Sequence, residues 1–592
     1  MEDFMKRVGI SLAVVLCSGL VMAQGRNGRG GGQRPATETP AVAEEGFPVT
    51  DALVTKKCGT CHTKDEKGNL SRISWTRTTP EGWEEAIKRM VRLNGLVITS
   101  EEAKPILKYL ATNHGLAPEE AKPVMYMPEH RIQDEEAPNE AVRTACMNCH
   151  ALGRPFSWHR TKEEWTLLTT LHSALYQQAE SAFRGGNRNG GGAGTPAAGS
   201  APAAPAASVL DQTIDYLTKN YGLHTPEWAA WRTRMRAPKM TGKWMVSAHI
   251  LGKGKYYGEM IIAPGAADDE FTTTMKLQPV GGGPAITRTG TSVVYAGYSW
   301  RGRSKGSAVP ANAGPDDLSS EMREAMWISP DQSWGQGRWF WGEYQEFGLD
   351  IKIQRATSEP LLVTTDKSSL KTGSKAQRVR LIGNGFPLQM TADDLDFGAG
   401  VKVASIVSHN ATQIVAEVDV ATDAATGKRD VAVGRSSLQA AIAVYDQVDY
   451  IKVLPETALA RLGGDAKSVH PKGYQQLEAI AFSKGEDGKM HTADDVELGP
   501  VDVNWSVEEF LSVFGDDDRE FVGSLSSTGL FSPNIDGPNP QRKFSRNNYG
   551  DVWVVATAKD EKDKDGKPLV GKSYLVVTVP TYIKWDQPEV TK

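Results

Sequence analysis

Two copies of the pattern Cys-x-x-Cys-His constrain this chain more than any other feature: KKCGTCHT at residues 56–63 and TACMNCHA at residues 144–151. Cys58, Cys61 and His62 form the first copy; Cys146, Cys149 and His150 form the second. A four-cysteine zinc site usually sets its two pairs ~15–20 residues apart. Cys61 and Cys146 lie much further apart than that, and zinc gives no reason for a histidine directly after each second cysteine. Covalent haem attachment does. The two thiols bond the porphyrin vinyl groups, and the adjacent imidazole then reaches the iron. The pattern predicts two haem c groups, with His62 and His150 as proximal iron ligands.

Cysteine usage agrees. The chain has 5 cysteines, and the only one outside the two motifs is Cys17. It sits in MEDFMKRVGISLAVVLCSGLVMAQ, which reads as an export signal over residues 1–23. Lys6 and Arg7 give the basic start, Ile10 to Leu20 the apolar run, and Val21-Met22-Ala23 the small residues before cleavage. Leu16 is too bulky to favour lipid attachment at Cys17. The run is short for a membrane span. An exported protein usually spends its cysteines on disulfides, and here none remain for that purpose. The expectation is a periplasmic protein with no membrane span after cleavage. With 67 basic against 72 acidic residues and a net charge of -5, no nucleic-acid partner is expected.

An internal repeat nominates the distal ligands. TPEGWEEAIKRMVRL follows the first motif, and its Trp83, Ile87, Met90 and Val91 fall at helical spacing. TKEEWTLLTTLHSAL follows the second, with Trp165, Leu168, His172 and Leu175 on one helical face. Met90 and His172 stand equally far beyond their tryptophans. The copies then close alike, with KYLATNHGL at 108–116 and DYLTKNYGL at 215–223. Residues 50–118 and 138–225 therefore read as two copies of one haem-binding unit, with Met90 and His172 as distal ligands. Met125 and Met127 compete with Met90 for the first iron. His159 competes with His172 for the second but follows the proximal histidine too closely, and His114 aligns with Tyr221 and is not nominated. Methionine as a distal ligand tends to raise a haem potential relative to a second imidazole, so the His150 haem is expected to have the lower potential.

The remainder divides as follows. Residues 24–48 form a glycine-rich, flexible N-terminus, and 184–208 a disordered insertion within the 49–228 dihaem domain. Alternating strand patterns such as GKWMVSAHILGKGKYYGEMIIAP begin near residue 240, consistent with 59 glycines and 15 tryptophans. The expected fold is multidomain. An N-terminal all-α dihaem cytochrome c domain precedes three all-β domains: a small antiparallel barrel over 240–356, then immunoglobulin-like sandwiches over 358–453 and 454–592. Asp487, Asp494 and Asp495 surround a glycine turn that could hold calcium, but the spacing is not that of an EF-hand, and a solvated hairpin loop is the reading adopted. The β-domains carry no nucleotide loop and no hydrolase or zinc-protease motif, so no catalytic residues are assigned.

Several stretches carry a family resemblance: CHTKDEKGNLSRISWTRTTPEGWEEAIKRM, LKYLATNHGLAPEE, GYSWRG, DLDFGAGVKV, RDVAVG and GPNPQRKFSRNNYG. Together with the domain order they resemble the α subunit of quinohemoprotein amine dehydrogenase over nearly the whole mature chain. The glycine-rich extension and the 184–208 insertion depart from it. The resemblance implies a periplasmic heterotrimer. A small quinone-bearing subunit would carry cysteine tryptophylquinone and oxidise primary amines, a propeller-like subunit would complete the enzyme, and this chain would pass electrons to a soluble cytochrome c or copper protein. The chain itself cannot supply the quinone, since its mature cysteines are committed. A dihaem carrier serving another periplasmic dehydrogenase is the alternative; a dihaem peroxidase and a surface adhesion protein rank below it.

Overall fold

The computed structural model describes residues 44–125, 136–147, 149–185, 207–308, 310–311, 313–464, 470–511 and 513–580. The expected export signal with Cys17, Met127, and most of both low-complexity stretches lie outside these residues.

The first repeat contains helix α1 (Ala52–Cys58), strand β1 (Thr76–Thr78), and helices α2 (Pro80–Asn94), α3 (Ser100–Asn113) and α4 (Pro118–Ala121). Local sequence explains the boundaries. Asp51 caps α1 by accepting from the Val54 amide at 2.8 Å. Thr79 caps α2, with proline at its first position, and Gly95 stops it in a left-handed conformation with φ 70°. Thr99 and Glu102 form a reciprocal capping box on α3.

The second repeat contains α5 (Glu140–Val142), a π-helical turn over Arg143–Met147, α6 (Gly153–Phe156), strand β2 (Trp158–Arg160), α7 (Lys162–Leu175), α8 (Gln177–Phe183) and α9 (Val209–Asn220). Thr161 caps α7 as Thr79 caps α2. Helix α10 (Pro226–Arg234) then leads into the strands.

This region is not purely helical, because β1 and β2 pair as an antiparallel ribbon. With Thr79 and Thr161 as equivalent caps, Arg77 is equivalent to His159, Thr76 to Trp158 and Thr78 to Arg160. The ribbon pairs Arg77 with His159, Thr76 with Arg160 and Thr78 with Trp158. The pairing is thus twofold symmetric about Arg77 and His159. Further contacts follow the same rule. The Trp83 indole donates to the His114 carbonyl at 2.9 Å and the Trp165 indole to the Tyr221 carbonyl at 3.3 Å. The amides of Thr78 and Arg160 donate to those same two carbonyls, each at 3.1 Å.

Strands β3 (Gly242–Ile250), β4 (Gly254–Pro264), β5 (Glu270–Pro279), β6 (Ile286–Tyr295), β7 (Ser299–Gly306), β8 (Met322–Ile328), β9 (Trp334–Trp341) and β10 (Phe347–Arg355) close an eight-stranded antiparallel barrel. Closure leaves no unpaired edge. Trp244, Trp300 and Trp339 fill the core and are fully buried. Bulk on that scale needs small neighbours. A Cβ at Gly258 would sit 1.8 Å from the Lys276 carbonyl, so only glycine fits there.

One register line across the barrel carries polar groups: Ser292, Gly302, Glu324 and Trp339 are successive cross-strand partners. Glu324 is fully buried and accepts from the Trp300 indole at 2.9 Å. Burial pushes its carboxyl up to about 7, against a smaller lowering by its hydrogen bonds and Arg288. The folded state therefore holds this proton more tightly than the unfolded chain does. Its stabilisation is complete below the ordinary glutamate range and is lost as pH rises through about 7. Glu324→Gln is expected to flatten the stability profile between those limits by about 3 kcal/mol. Urea denaturation midpoints of both proteins at pH 4.5, 6 and 8 check this.

Beyond the barrel lie two four-stranded sheets. One is Leu361–Thr365, Gln377–Asn384, Gln413–Val420 and Val401–His409; the other is Ser369–Lys371, Ser436–Tyr445, Gly427–Val433 and Leu395–Asp396. Burial alternates strictly along Gln413–Val420, as one inward face requires. The last region holds a four-stranded sheet (Thr457–Arg461, Pro568–Thr578, Gly550–Lys562, Val503–Glu509) and two three-stranded sheets.

The helical region is tied to the barrel by buried polar contacts. Arg301 on β7 ion-pairs with Glu81 in the first turn of α2, and both side chains are almost wholly buried. Lys108 on α3 reaches Asp269 and Glu270, each at 2.7 Å. The Tyr298 hydroxyl donates to the Leu116 carbonyl at 2.9 Å, and the Trp327 indole to the Pro118 carbonyl at 2.9 Å.

Candidate functional site

The first Cys-x-x-Cys-His motif begins in the last turn of α1. The amides of Cys61 and His62 both donate to the Cys58 carbonyl, at 3.1 and 2.9 Å, so one tight turn carries all three side chains. Nδ1 of His62 lies 2.7 Å from the Ser71 carbonyl. That contact suits an Nδ1–H donor and leaves Nε2 with its lone pair outward, the arrangement a metal-binding imidazole needs.

The second motif emerges from the π-helical turn, with the Cys149 amide donating to the Cys146 carbonyl at 3.3 Å. Nδ1 of His150 lies 3.1 Å from the Ala151 carbonyl. The loop that supplies Ser71 in the first half has no counterpart in the second, so the adjacent residue serves instead. Burial lowers the His150 imidazole to about 4, which keeps it neutral at physiological pH. Burial, with Cys149 nearby, pushes the Cys146 thiol up to about 12, and burial also raises Cys58. All four cysteines are free and none is disulfide-bonded.

Met90 is half-buried on α2. Ala86 and Ile87, one turn earlier on its face, share a hydrophobic cluster with Cys58, so that face of α2 runs toward the first motif. His172 is half-buried near the end of α7, its Nδ1 2.9 Å from the Leu168 carbonyl, again leaving Nε2 available. His172 lies close enough to His150 to bear on its protonation.

The competing residues are engaged elsewhere. Met125 is buried in the barrel-side core. His159 is buried with Nδ1 3.0 Å from the Gly222 carbonyl and 3.5 Å from Glu120. Glu120 also takes a two-pronged ion pair from Arg77, at 2.8 and 3.0 Å, which holds its carboxyl down to about 2 despite burial. His114 is fully buried with neither ring nitrogen bonded, and burial lowers it to about 3; its carbonyl serves Trp83. In the loop before residue 496, Asp494 accepts from the Asp487 amide and Asp495 from the Gly485 and Thr492 amides. Those carboxylates brace a hairpin turn.

Exposed apolar side chains flank both proposed distal ligands. Val91, Leu93 and Val97 follow Met90, and Leu171, Leu175 and Tyr176 surround His172. A planar apolar macrocycle fixed at each cysteine pair would cover them. The donor set fits haem: paired thiols within one turn, an imidazole with a free Nε2, and a second soft or imidazole donor on α2 or α7.

What the sequence did not reveal is the charge between the halves. Arg72, beside the carbonyl partner of His62, pairs with Glu164 at 2.8 Å. Arg154 pairs with Glu85. Arg160 is buried beneath Trp158, its guanidinium 4.2 Å from that ring centroid, and its Nε has no partner. No sequence period marks such a cluster, since its members come from separate loops and helices.

Four family models match this chain. They are described as quinohemoprotein amine dehydrogenase A, alpha subunit, haem binding (residues 49–194), and alpha subunit domains II (237–356), III (359–446) and IV (451–590). No curated protein matches it. Among solved structures, EF1p2_mFAP2b bound to DFHBI is similar at 12% identity over 20% of this chain and 94% of that one, with a TM-score of 0.16. Human protocadherin-24 EC1-2 is similar at 12% identity over 38% of this chain and 98% of that one, also with a TM-score of 0.16.

Proposed function

The chain belongs to the quinohemoprotein amine dehydrogenase alpha subunit family, and from that premise we propose that it is the dihaem electron-transfer subunit of an amine dehydrogenase. Cys58 and Cys61 hold one haem c and Cys146 and Cys149 the other, with His62 and His150 proximal and Met90 and His172 distal. Haem, when bound, supplies acceptance and release of single electrons. The chain's own residues set where that happens: the thiols fix each group, the carbonyls of Ser71 and Ala151 orient the imidazoles, and the helices present the second donors. Electrons come from a tryptophylquinone on a small partner subunit, in a heterotrimer completed by a propeller-like subunit, and leave to a soluble cytochrome or copper protein. The site of action is the periplasm, a reading supported by the export-signal pattern of residues 1–23. The two sheet-rich C-terminal regions are read as immunoglobulin-like.

The observation that carries the reading is the twofold relation of the halves. Each has its own Cys-x-x-Cys-His motif, an imidazole with Nε2 free, and a donor at the same interval beyond the tryptophan of α2 or α7. The test is purification of the mature chain with alkaline pyridine spectroscopy and intact mass. Two covalent haems per chain are expected, with no amine oxidation by the chain alone. A colourless product, or amine turnover without partners, would overturn it. Resolved redox titration is expected to give two unequal potentials, and His172→Met should raise the lower one.

A further inference from the structure

Arg89 makes no hydrogen bond or ion pair with any described residue, yet its side chain is half-buried. A half-buried guanidinium without a partner is costly, and its surroundings indicate what would offset the cost. Arg89 precedes the proposed ligand Met90 and lies one turn beyond Glu85 on the same face of α2; Glu85 ion-pairs with Arg154 of the second half, and Tyr176 of that half is also near Arg89. Arg154 bears on His150, and the Tyr176 ring lies 6.1 Å from that of His172. The Arg89 side chain therefore faces the second attachment site across the junction. Near it, among the described residues, stand Arg72, Arg154 and Arg160, with the carboxylates Glu85 and Glu164. Both carboxylates are already paired, and the buried Arg160 still has an unpartnered Nε. Among these described groups four guanidiniums stand against two carboxylates.

Haem c keeps two propionate carboxylates free of its covalent attachment, so it brings the missing charge. We propose that Arg89, contributed by the first half, is the positioning partner of a propionate of the haem attached at Cys146 and Cys149. This rests on the two-haem reading above. A guanidinium paired there keeps a negative charge from stabilising ferric iron, so Arg89 holds the potential of the second haem up. It also ties the second haem to the helix that carries Met90.

The test is redox titration of the full mature chain bearing Arg89→Gln, with the two components resolved in the visible spectrum and haem counted by pyridine spectroscopy. The expected result is two covalent haems, unchanged absorption maxima, and a downward shift in the potential of the His150 component alone. Arg89→Lys, which keeps the charge, should recover most of that shift and guards against a folding defect in the glutamine variant. Both potentials as in the parent, or a shift confined to the His62 component, would overturn the assignment while leaving the two-haem reading in place. Fewer than two haems in the unsubstituted chain would overturn that reading, and this inference with it.

Discussion

Replacing Cys146 and Cys149 together with alanine is expected to halve the covalent haem and to unfold the second repeat, whereas the same change at Cys58 and Cys61 should remove a haem and leave its repeat folded. The difference lies in what each half buries without its cofactor. The first half shares a cluster of eleven buried residues that includes Val293 and Tyr295 of the barrel. Among the described residues the second half's own cluster has three buried members, Trp165, Ile214 and Leu217, with half-buried neighbours such as Phe156 and Leu168, while Val142 and Leu152 are buried outside it. Units of roughly 70 residues or fewer with so little core usually need a metal or cross-link to persist. Limited proteolysis would show it: cleavage between residues 140 and 220 in the Cys146/Cys149 variant, and a resistant 50–118 region in the Cys58/Cys61 variant. Equal susceptibility of the two halves would contradict the argument.

Arg301→Leu is expected to cost ~3–5 kcal/mol, since it strands Glu81 as a buried, unpaired carboxylate. Arg301 is fully buried, and its Nη2 also lies 3.1 Å from the second carboxylate oxygen of Glu81. The pair fixes the first turn of α2, and so the helix that presents Met90, against the barrel wall. Removing both charges, as in Arg301→Leu with Glu81→Leu, should return most of the loss, because the desolvation cost disappears with the pair. Chemical denaturation of the single and double variants measures this. A double variant as unstable as Arg301→Leu would show that packing, not the uncompensated charge, is lost.

The sequence made some of this visible. The shared interval from tryptophan to the next candidate ligand could be read by eye, and in the structure both indoles bind the carbonyl of the matching closing residue, His114 or Tyr221. The long strands around Trp244 and Met260 showed their period of two, and they lie in the closed barrel. The ribbon was hidden, because three-residue strands are too short for any periodic pattern, and an all-α expectation had no place for it. Glu81 with Arg301, Arg77 with Glu120, and the arginines between the halves were equally hidden. Such pairs join residues remote in the chain, and a single sequence gives charge but not proximity. His159 looked like a rival iron ligand; in the fold it is the ribbon partner of Arg77.

The symmetry of that ribbon has an ancestral implication. A surface whose residues pair with their own equivalents is the isologous contact of a homodimer, so the two halves meet as two copies of one small unit joined in a single chain would. Fusion frees each copy to diverge: one keeps methionine where the other has histidine, and one has arginine on the axis where the other has histidine. Two identical chains, bound by identity, could not have set their two sites apart in this way.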